Sequence, residues 1–458
     1  MRRISLLALL AAIWGLVLES LGQISSRDPA AALSPLGLVP VWSVPLPRSD
    51  PRQEALFVQL LDADLLLVQM RSGTALAFDA VTGNLRWLVQ LGPNFRVYQR
   101  PAIASQLLVV IPVDLSLDVY ERKSGVRLWR VELNNIAHRA PACDDSHLVV
   151  LDGEDRVRCW LLPHVERYLA SQAADRPPAT NKPLAPSVNP SRSLYDAGVS
   201  SYEIRRQLIR EPQRAWDFQD SAGFDLPALT ATDQCVAFVS REGKLRLVAS
   251  DQVRLVGEWQ FPKPLSAPMG FFLVERTNQQ VTSWEPWLIA PCSDNALYAF
   301  RIHQGKLTPV WQRVLGDEAN AAPILLGNRV FVAAASRGLF CLERDTGRVQ
   351  WQQLEAREFI ATSPRLVFAL DQDRRLMVLE RESGAVLGRA AGNSQWRAVA
   401  NQFTDRVYLL SGDGRLYCFR DRAPECREPQ IYYRLRFAPP AVQLAKPVAA
   451  PEKPEGGQ

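Results

Sequence analysis

The sequence lacks the local patterns that identify most families of enzymes. It contains no GxSxG, no Walker A phosphate loop and no GxGxxG dinucleotide fingerprint. Only four histidines occur, and their positions do not have the spacing of a metal site: His138, His147, His164 and His303. We interpret them as loop histidines with local hydrogen-bond partners. The sequence therefore offers no catalytic, cofactor-binding or metal-binding residue.

An excess of charge of one sign is also missing. The 53 basic and 48 acidic side chains leave a formal net charge of +5. A dedicated nucleic-acid binder usually carries a much larger positive excess on one face. We therefore expect no nucleic-acid partner.

Cysteines are few and form no recognisable site. The chain has seven, an odd number, so at least one thiol is unpaired within the monomer, and no CxxC occurs. Cys159, Cys341 and Cys418 fall at one equivalent repeat position where the other copies carry Ala, Val or Leu. This position predicts small, buried, unreactive side chains. A bridge between Cys418 and Cys426 is the alternative left open.

Long apolar runs are absent beyond residue 25, but one lies at the N-terminus. Arg2 and Arg3 precede an apolar run over residues 4–18, and Ser20-Leu21-Gly22 then offers a small-x-small cleavage site. This order predicts a signal peptide over residues 1–22. An uncleaved membrane anchor through residues 4–18 is the alternative, although the run is short for a span. No cysteine follows the run directly, so a lipobox lipoprotein is disfavoured, and we expect an exported protein in the periplasm or envelope.

What the chain does contain is a repeated phrase at a spacing of roughly forty residues, which is typical of an array of similar units. Its copies are AFDAVTGNLRW (77–87), VYERKSGVRLW (119–129), CLERDTGRVQW (341–351) and VLERESGAVLG (378–388). Each copy is preceded, in chain order, by a Pro-flanked segment, an apolar strand, a hairpin turn and a strand of alternating polar and apolar residues. Eight such units can be aligned. Each one predicts four strands.

Two kinds of residue recur within the phrase. A Thr/Ser-Gly pair makes the turn between the third and fourth strands, with glycine where φ is positive. The fourth strand then opens with a tryptophan that can fill space between neighbouring units. The glycines are Gly83, Gly125, Gly347 and Gly384. The tryptophans are Trp42, Trp87, Trp129, Trp216, Trp259, Trp311 and Trp351, with Gly388 in the eighth place.

Two regions depart from the repeat. About 47 extra residues, within 163–213, separate the third and fourth strands of the third unit. A Pro/Ser-rich first part predicts a solvated loop, and SSYEIRRQLIREP (200–212) predicts a short helix with a capping box. This helix carries candidate partner-docking residues, with a packed surface helix as the alternative: Tyr202, Arg205, Arg206 and Arg210. Residues 421–458 form a Pro-rich tail, which we expect to be partly disordered.

The ends of the array predict closure. The eighth unit lacks its Trp-led strand, and VPVWSVPL (39–46) is such a strand without a unit before it. Pairing the two closes a ring and removes exposed sheet edges. We therefore predict an all-β fold, an eight-bladed β-propeller of four-stranded antiparallel blades over residues 39–420. An open β-solenoid is the alternative, and the single Trp-Asp pair disfavours a WD40 protein.

The phrase AxDxxTGxxxW at 77–87, echoed at 341–351, resembles the repeat of the pyrroloquinoline-quinone-like β-propeller superfamily, over about residues 39–420. The chain resembles the outer-membrane assembly factor BamB family more closely than the quinoprotein dehydrogenases. Those enzymes carry adjacent cysteines, which this chain lacks, and bind calcium through carboxylates. The hairpin-turn acids that could serve instead are interpreted as solvated: Asp152, Glu154, Asp371, Asp373 and Asp413.

The resemblance implies a non-enzymatic, monomeric propeller without a cofactor that acts as a scaffold for a protein partner in the cell envelope. Two alternatives stay open. One is a dehydrogenase with a divergent site for pyrroloquinoline quinone and calcium. The other is a propeller that binds a polysaccharide or small ligand in its central funnel or top-face loops.

Overall fold

The computed structural model describes residues 29–47, 54–92, 98–137, 139–174, 206, 208–227, 229–232, 235–250, 253–278, 281–303, 306–390 and 396–433. Short β-hairpin turns connect the strands in these segments, and the strands pair into sheets. The described residues contain eight four-stranded antiparallel sheets. Each sheet is one blade of a propeller, so the predicted fold class is confirmed.

In the first four blades, each strand pairs with the next one along the chain. Blade 1 holds β2 (Ala55–Asp62), β3 (Leu65–Met70), β4 (Thr74–Asp79) and β5 (Leu85–Gln90); blade 2 holds β6 (Ile103–Ala104), β7 (Leu108–Val113), β8 (Ser116–Glu121) and β9 (Arg127–Glu132); blade 3 holds β10 (Ala142–Cys143), β11 (His147–Leu151), β12 (Arg156–Leu161) and β13 (Gln213–Gln219); blade 4 holds β14 (Leu229–Thr232), β15 (Cys235–Val239), β16 (Lys244–Ala249) and β17 (Leu255–Gln260).

The second half repeats this order until the last blade, which takes its fourth strand from the N-terminus. Blade 5 holds β18 (Gly270–Asn278), β19 (Val281–Cys292), β20 (Ala296–His303) and β21 (Lys306–Val314); blade 6 holds β22 (Ile324–Leu326), β23 (Arg329–Ala334), β24 (Gly338–Glu343) and β25 (Val349–Gln353); blade 7 holds β26 (Ala356–Thr362), β27 (Leu366–Asp371), β28 (Leu376–Glu380) and β29 (Val386–Arg389); blade 8 holds β30 (Arg397–Val399), β31 (Val407–Leu410), β32 (Arg415–Asp421) and β1 (Leu38–Pro45).

Ring closure is the pairing of β1 with β32. The two strands run antiparallel from Leu38 opposite Asp421 to Pro45 opposite Arg415. The predicted closing strand is therefore confirmed, one residue earlier at each end than the sequence suggested. First strands contact first strands in neighbouring blades, β2 with β6 and β30 among them, so first strands lie nearest the axis.

The core is divided among the seams between blades. Each of the eight seams in the described residues has its own cluster of buried apolar side chains, drawn from the two blades that meet there. The second strand of a blade is buried on both faces, as every residue of Leu65–Met70 is. This explains the continuous apolar runs, because both faces of the middle strands meet a neighbouring blade.

Two short segments outside the blades seal the last seams. Helix α1 (Pro29–Leu33) and a 3₁₀ turn (Ser34–Leu36) precede β1, and Leu33 joins the cluster between blades 7 and 8. A second 3₁₀ turn, Pro424–Cys426, follows β32. The buried guanidinium of Arg406 donates to the carbonyls of Cys426 (3.0 Å) and Arg427 (3.1 Å). The start of the predicted tail is thus held against blade 8, and its residues after 433 lie outside the described residues.

Among the described residues, no helix is long and apolar enough to cross a membrane. The predicted signal peptide, residues 1–22, lies outside the described part of the chain.

Candidate functional site

The tryptophans of the fourth strands join neighbouring blades through a repeated hydrogen bond. In five seams the indole N–H donates to the carbonyl of the residue that directly follows the third strand of the next blade. These pairs are Trp42 to Ala80 (3.2 Å), Trp87 to Arg122 (2.9 Å), Trp216 to Ser250 (2.9 Å), Trp311 to Arg344 (2.6 Å) and Trp351 to Arg381 (2.9 Å). Because buried N–H groups are costly to leave unpaired, this bond fixes how each blade sits on the next.

The turn glycine of the following blade packs on the same indole. Gly125 has φ of 70°, and a Cβ there would lie 2.6 Å from the ring of Trp87. The same relation holds for three other pairs: Gly83 with Trp42, Gly347 with Trp311 and Gly384 with Trp351. The glycine of the phrase therefore meets two demands, a left-handed backbone and the close approach of a ring.

Blade 4 differs from the prediction at one position. The sequence predicts Trp259 at the fourth-strand position that the other tryptophans occupy. Gly257 lies at that position, opposite Leu247, and Trp259 pairs with Leu245. The indole N–H of Trp259 has no acceptor among the described residues, and its ring packs edge-on against Phe300 at 5.2 Å. In blade 7, Gly388 lies at the position that a tryptophan occupies in the other blades, and a Cβ on this glycine would lie 2.6 Å from Leu36. The N-terminal 3₁₀ turn therefore occupies the space of the missing tryptophan.

The seam between blades 2 and 3 is built differently, because residues 162–212 replace the short turn between β12 and β13. The first part of this segment forms helix α2 (Val165–Ala174), which the sequence interpretation missed. The apolar spacing of Val165, Tyr168 and Leu169 was the available signal. The ring of Tyr168 lies 5.1 Å from that of Trp129, and the Trp129 N–H donates to the carbonyl of Arg210 at 3.2 Å. The insertion thus supplies the acceptor that a turn supplies elsewhere.

A cleft of about 640 Å³ lies between β9 and this segment, and we call it the blade 2 groove. Its lining consists of Leu128, Trp129, Arg130, Val131, Glu132, Trp160, Tyr168, Arg210, Glu211 and Pro212. Aromatic rings form its floor, and Glu132, Arg210 and Glu211 are exposed at its rim. An aromatic floor within a mixed charged rim is typical of protein-binding surfaces.

One rim cation is held in place by a buried acid. The Arg130 Nε lies 2.6 Å from Oδ1 of Asp118 and its Nη2 lies 2.7 Å from Oδ2. Asp118 is fully buried, and the Tyr120 hydroxyl also donates to it at 3.2 Å. The hydrogen bonds that Arg130 donates to Asp118 raise the pKa of its guanidinium group. The groove therefore presents a fixed positive charge beside the aromatic floor.

The candidate docking residues have different fates. Tyr202 and Arg205 lie outside the described residues. Arg206 donates from Nε to the carbonyl of Leu162 at 3.3 Å and from Nη2 to the carbonyl of Asp145. These bonds anchor the insertion to blade 3, and a role of Arg206 in docking stays a prediction. Arg210 is exposed and lines the blade 2 groove.

The hairpin-turn acids also need correction. Asp152 and Asp371 were interpreted as solvated, but both are buried. Each forms an ion pair with an arginine of its own blade, Asp152 with Arg158 and Asp371 with Arg375. Glu154, Asp373 and Asp413 are exposed, as interpreted. These pairs give the two buried carboxylates a cationic partner within the protein itself.

Among the described residues, no three histidine, cysteine or carboxylate side chains form a group that could hold a metal ion. All seven cysteines lie in the described residues, and each is buried and outside any disulfide. The alternative bridge between Cys418 and Cys426 is therefore not formed. His147 is buried beside Asp144, with Nδ1 3.2 Å from Oδ2, which is a local partner of the expected kind.

Eight four-stranded blades, a closing N-terminal strand and Trp-Gly seams define the chain as a β-propeller of quinoprotein-like repeats. A family model described as "Outer membrane protein assembly factor BamB" matches residues 32–157 and 259–428. The chain belongs to this family. The matched ranges leave out residues 158–258, which contain most of β12, the insertion, β13 and nearly all of blade 4.

Solved structures share the fold at low identity. BamB from Moraxella catarrhalis is similar with a TM-score of 0.54 and 14% identity, over 84% of this chain and 97% of that one. The computationally designed Ika8 protein has a TM-score of 0.51 and 13% identity, over 81% and 98%. The C-terminal WD40 domain of Sif2 has 0.55 and 9%, over 84% and 98%. A search of curated proteins found no match. At these identities, the structural matches establish the fold alone.

Proposed function

We propose that this chain is an exported, non-enzymatic scaffold that binds a protein partner in the cell envelope during outer-membrane assembly. The observation that carries the proposal is membership of a family described as an outer-membrane assembly factor. The N-terminal charge and apolar pattern supports export. The proposed scaffold needs no cofactor, and the pairing of the buried turn acids Asp152 and Asp371 with arginines of their own blades supports this.

The blade 2 groove is the proposed docking site. It combines rings held by the seam with Arg130, whose position is fixed by buried Asp118. Pre-organised aromatic and arginine side chains contribute most of the binding energy at protein interfaces. The groove is also specific to this chain's insertion, because Tyr168, Arg210 and Glu211 all come from residues 162–212.

Site-specific photo-cross-linking in the native envelope tests the proposal. A photoreactive residue would replace Glu132 or Glu211 at the groove rim, with Leu387 as the control. Leu387 lies on β29 of blade 7 and is 60% exposed. We expect one discrete partner from both groove positions and none from Leu387. The same set of products from all three positions would contradict the docking site.

A second measurement tests the role in assembly. Deleting the gene in its host should lower the amount of folded outer-membrane β-barrel proteins, which can be measured by heat-modifiable gel mobility. Unchanged amounts, together with no discrete cross-link, would contradict the scaffold function.

A further inference from the structure

The blade 2 groove runs along the edge of a sheet. Strand β9 is the last strand of its blade, in the order β6-β7-β8-β9. One side of its backbone therefore pairs with β8, and the other side faces away from the blade. The groove is lined by five consecutive β9 residues, 128–132. Such a run spans about 17 Å, so the groove follows most of the strand.

The ladder between β8 and β9 decides which backbone groups face the groove. The N–H of Leu133 donates to the carbonyl of Leu115 at 2.7 Å, and hydrogen-bonded pairs alternate along an antiparallel ladder. Arg130 and Glu132 lie in the non-hydrogen-bonded pairs of this ladder. Their N–H and C=O groups therefore point away from β8, where they offer donors and acceptors to a neighbouring strand.

Two features leave this edge open. Charged side chains often cover the edge of a sheet, but the guanidinium of Arg130 is held against Asp118 by bonds of 2.6 and 2.7 Å. Strand β9 also contains no proline. In contrast, β1 contains Pro40 and Pro45, and β21 contains Pro309. Proline removes a donor from an edge, so β9 keeps donors that these two strands lack.

A second wall faces the edge across the groove. It contains Trp160, Tyr168 and residues 210–212. The ring of Tyr168 lies 5.1 Å from that of Trp129, which fixes its place. Successive side chains of a strand point to opposite faces, so every second side chain of a strand beside β9 would meet this wall. The groove volume of about 640 Å³ is within the range of sites that enclose a ligand of a few residues.

We propose that the blade 2 groove binds an extended segment of the partner as a fifth strand of blade 2. The segment hydrogen-bonds to the backbone of Arg130 and Glu132 and places every second side chain against Trp160 and Tyr168. Strand addition takes its affinity from main-chain bonds and its selectivity from the contacts of alternate side chains. The proposal rests on the scaffold function above and deepens it, because it states the form in which the partner is recognised.

Proline at position 132 tests the backbone donor on the protein. Glu132→Pro removes an N–H that faces the groove and no bond to β8, so blade 2 should stay folded. Glu132→Ala removes the same side chain and keeps the donor. The matched control is Gln90→Pro, because Gln90 holds the equivalent edge position on β5 of blade 1, opposite Thr74, and does not line the groove.

The probe is a fluorescein-labelled, end-capped nonapeptide of alternating valine and threonine with a lysine at each end. Its binding to the full chain is followed by fluorescence anisotropy. Glu132→Pro should bind it about tenfold more weakly than Glu132→Ala, since only the proline removes a main-chain bond. Gln90→Pro should bind it as the parent chain does. Equal affinities of the proline and alanine variants at position 132 would overturn the proposal.

Methylation of the peptide nitrogens keeps the test decisive if Glu132→Pro disturbs folding. One probe is N-methylated on its valines and another on its threonines. The wall selects which side chains face it, and this choice fixes which N–H groups face β9. The two methylated probes should therefore differ in affinity by about tenfold. Equal affinities of these two probes, or no binding of the unmethylated probe, would overturn strand addition.

Truncation distinguishes the partner from the chain's own C-terminal segment. A chain that ends at residue 433 should bind the unmethylated probe as the full chain does. Clearly tighter binding by the truncated chain would overturn the proposal in favour of residues 434–458 as the occupant of the edge.

The recognition mode and the scaffold function can fail separately. A discrete envelope cross-link from Glu211 that persists in the Glu132→Pro variant would overturn strand addition alone. Probe binding that depends on the N–H at position 132, without any cross-linked partner, would support strand addition and contradict the scaffold function.

Discussion

At the scale of single residues, the Trp-Gly contact explains why glycine recurs in the repeated phrase. Gly125 has φ of 70°, and a Cβ there would lie 2.6 Å from the indole of Trp87. Gly327 has φ of 64°, but a Cβ there would meet nothing within 4 Å. The two glycines share the same backbone demand and differ only in the ring.

Alanine at these two positions therefore separates the two demands. Gly327→Ala should destabilise the fold by about 1 kcal/mol, from left-handed backbone strain alone. Gly125→Ala adds steric overlap with the ring and should lower the free energy of unfolding by about 3 kcal/mol. Urea unfolding followed by tryptophan fluorescence measures both. Equal midpoints for the two variants would contradict the role given to the ring.

The indole hydrogen bond can be tested with a second matched pair. Trp87→Phe removes the donor to the carbonyl of Arg122 and leaves that buried acceptor unpaired. Trp259→Phe removes an N–H that has no acceptor among the described residues. Both variants lose similar volume, so Trp87→Phe should be the more destabilising by about 1–2 kcal/mol. The reverse order in urea unfolding would show that the bond contributes little.

The thiols give a prediction for pH. Burial raises the pKa of Cys341 to about 11 and that of Cys418 to about 12, whereas an unfolded thiol titrates near pH ~8.5. A pKa raised in the folded state contributes stability that is complete below pH ~8.5 and is lost as the pH rises toward 11. A thiol reagent at pH 8 should react slowly with the folded chain and with all seven cysteines after denaturation. Fast reaction of the folded chain would contradict the burial.

Some residue positions could be predicted from the sequence, and others depended on tertiary contacts. The burial of Cys341 followed from its place in the repeat. The misplacement of Trp259 arose because blade 4 carries Gly257 at the position opposite Leu247 and its tryptophan two residues later on β17, which a search for tryptophan alone cannot detect. The burial of Asp152 and Asp371 depends on arginines that fold back onto the same turn, which hairpin composition does not reveal.

At the scale of elements, strand β1 decides whether the ring is closed. It pairs along β32 from Leu38 to Pro45, and Trp42 continues the contact to blade 1 through Ala80. Without β1, the edge of β32 and the cluster between blades 8 and 1 would be exposed.

A chain that begins at residue 46 should therefore aggregate or unfold at markedly lower urea concentration than one that begins at residue 29. Adding a synthetic peptide of residues 37–46 in trans should recover part of the loss in the urea midpoint, because the edge of β32 remains available for pairing. Equal stability of the two truncated chains would show that closure is unnecessary.

Elements with a strict period were predictable, and irregular ones were not. Hairpin turns and apolar runs predicted all eight blades and the closing strand, because both signals recur in each copy. Helix α2 was missed because a ten-residue helix inside an insertion has no repeat to support it. Its place is fixed by the ring contact of Tyr168 with Trp129, a contact between segments distant in sequence.

At the scale of the whole molecule, the insertion adds a surface to one face of the ring. The blade 2 groove lies beside the insertion, on the side of the turns between third and fourth strands. The family match includes β9 on one wall of the groove but omits residues 158–258, which supply Trp160, Tyr168 and the residues 210–212 of the other wall. The groove is therefore divided into a wall within the family match and a wall that the insertion adds.

Replacing residues 162–212 by the blade 6 turn RDTG, residues 344–347, tests this division. This length keeps Trp216 ten positions after Cys159, as Trp351 is after Cys341. The new turn supplies a backbone carbonyl after β12 and a glycine under Trp129, as the equivalent turn does for Trp311. The ring should therefore stay folded, with a urea midpoint close to that of the parent chain.

The cross-link from Glu132 should disappear, because Tyr168, Arg210 and Glu211 leave with the insertion. The version with RDTA is the matched control and should unfold at lower urea concentration, since its alanine overlaps the Trp129 ring. A folded RDTG chain that still cross-links from Glu132 would place the partner elsewhere on the ring, and an unfolded one would make the insertion part of the core.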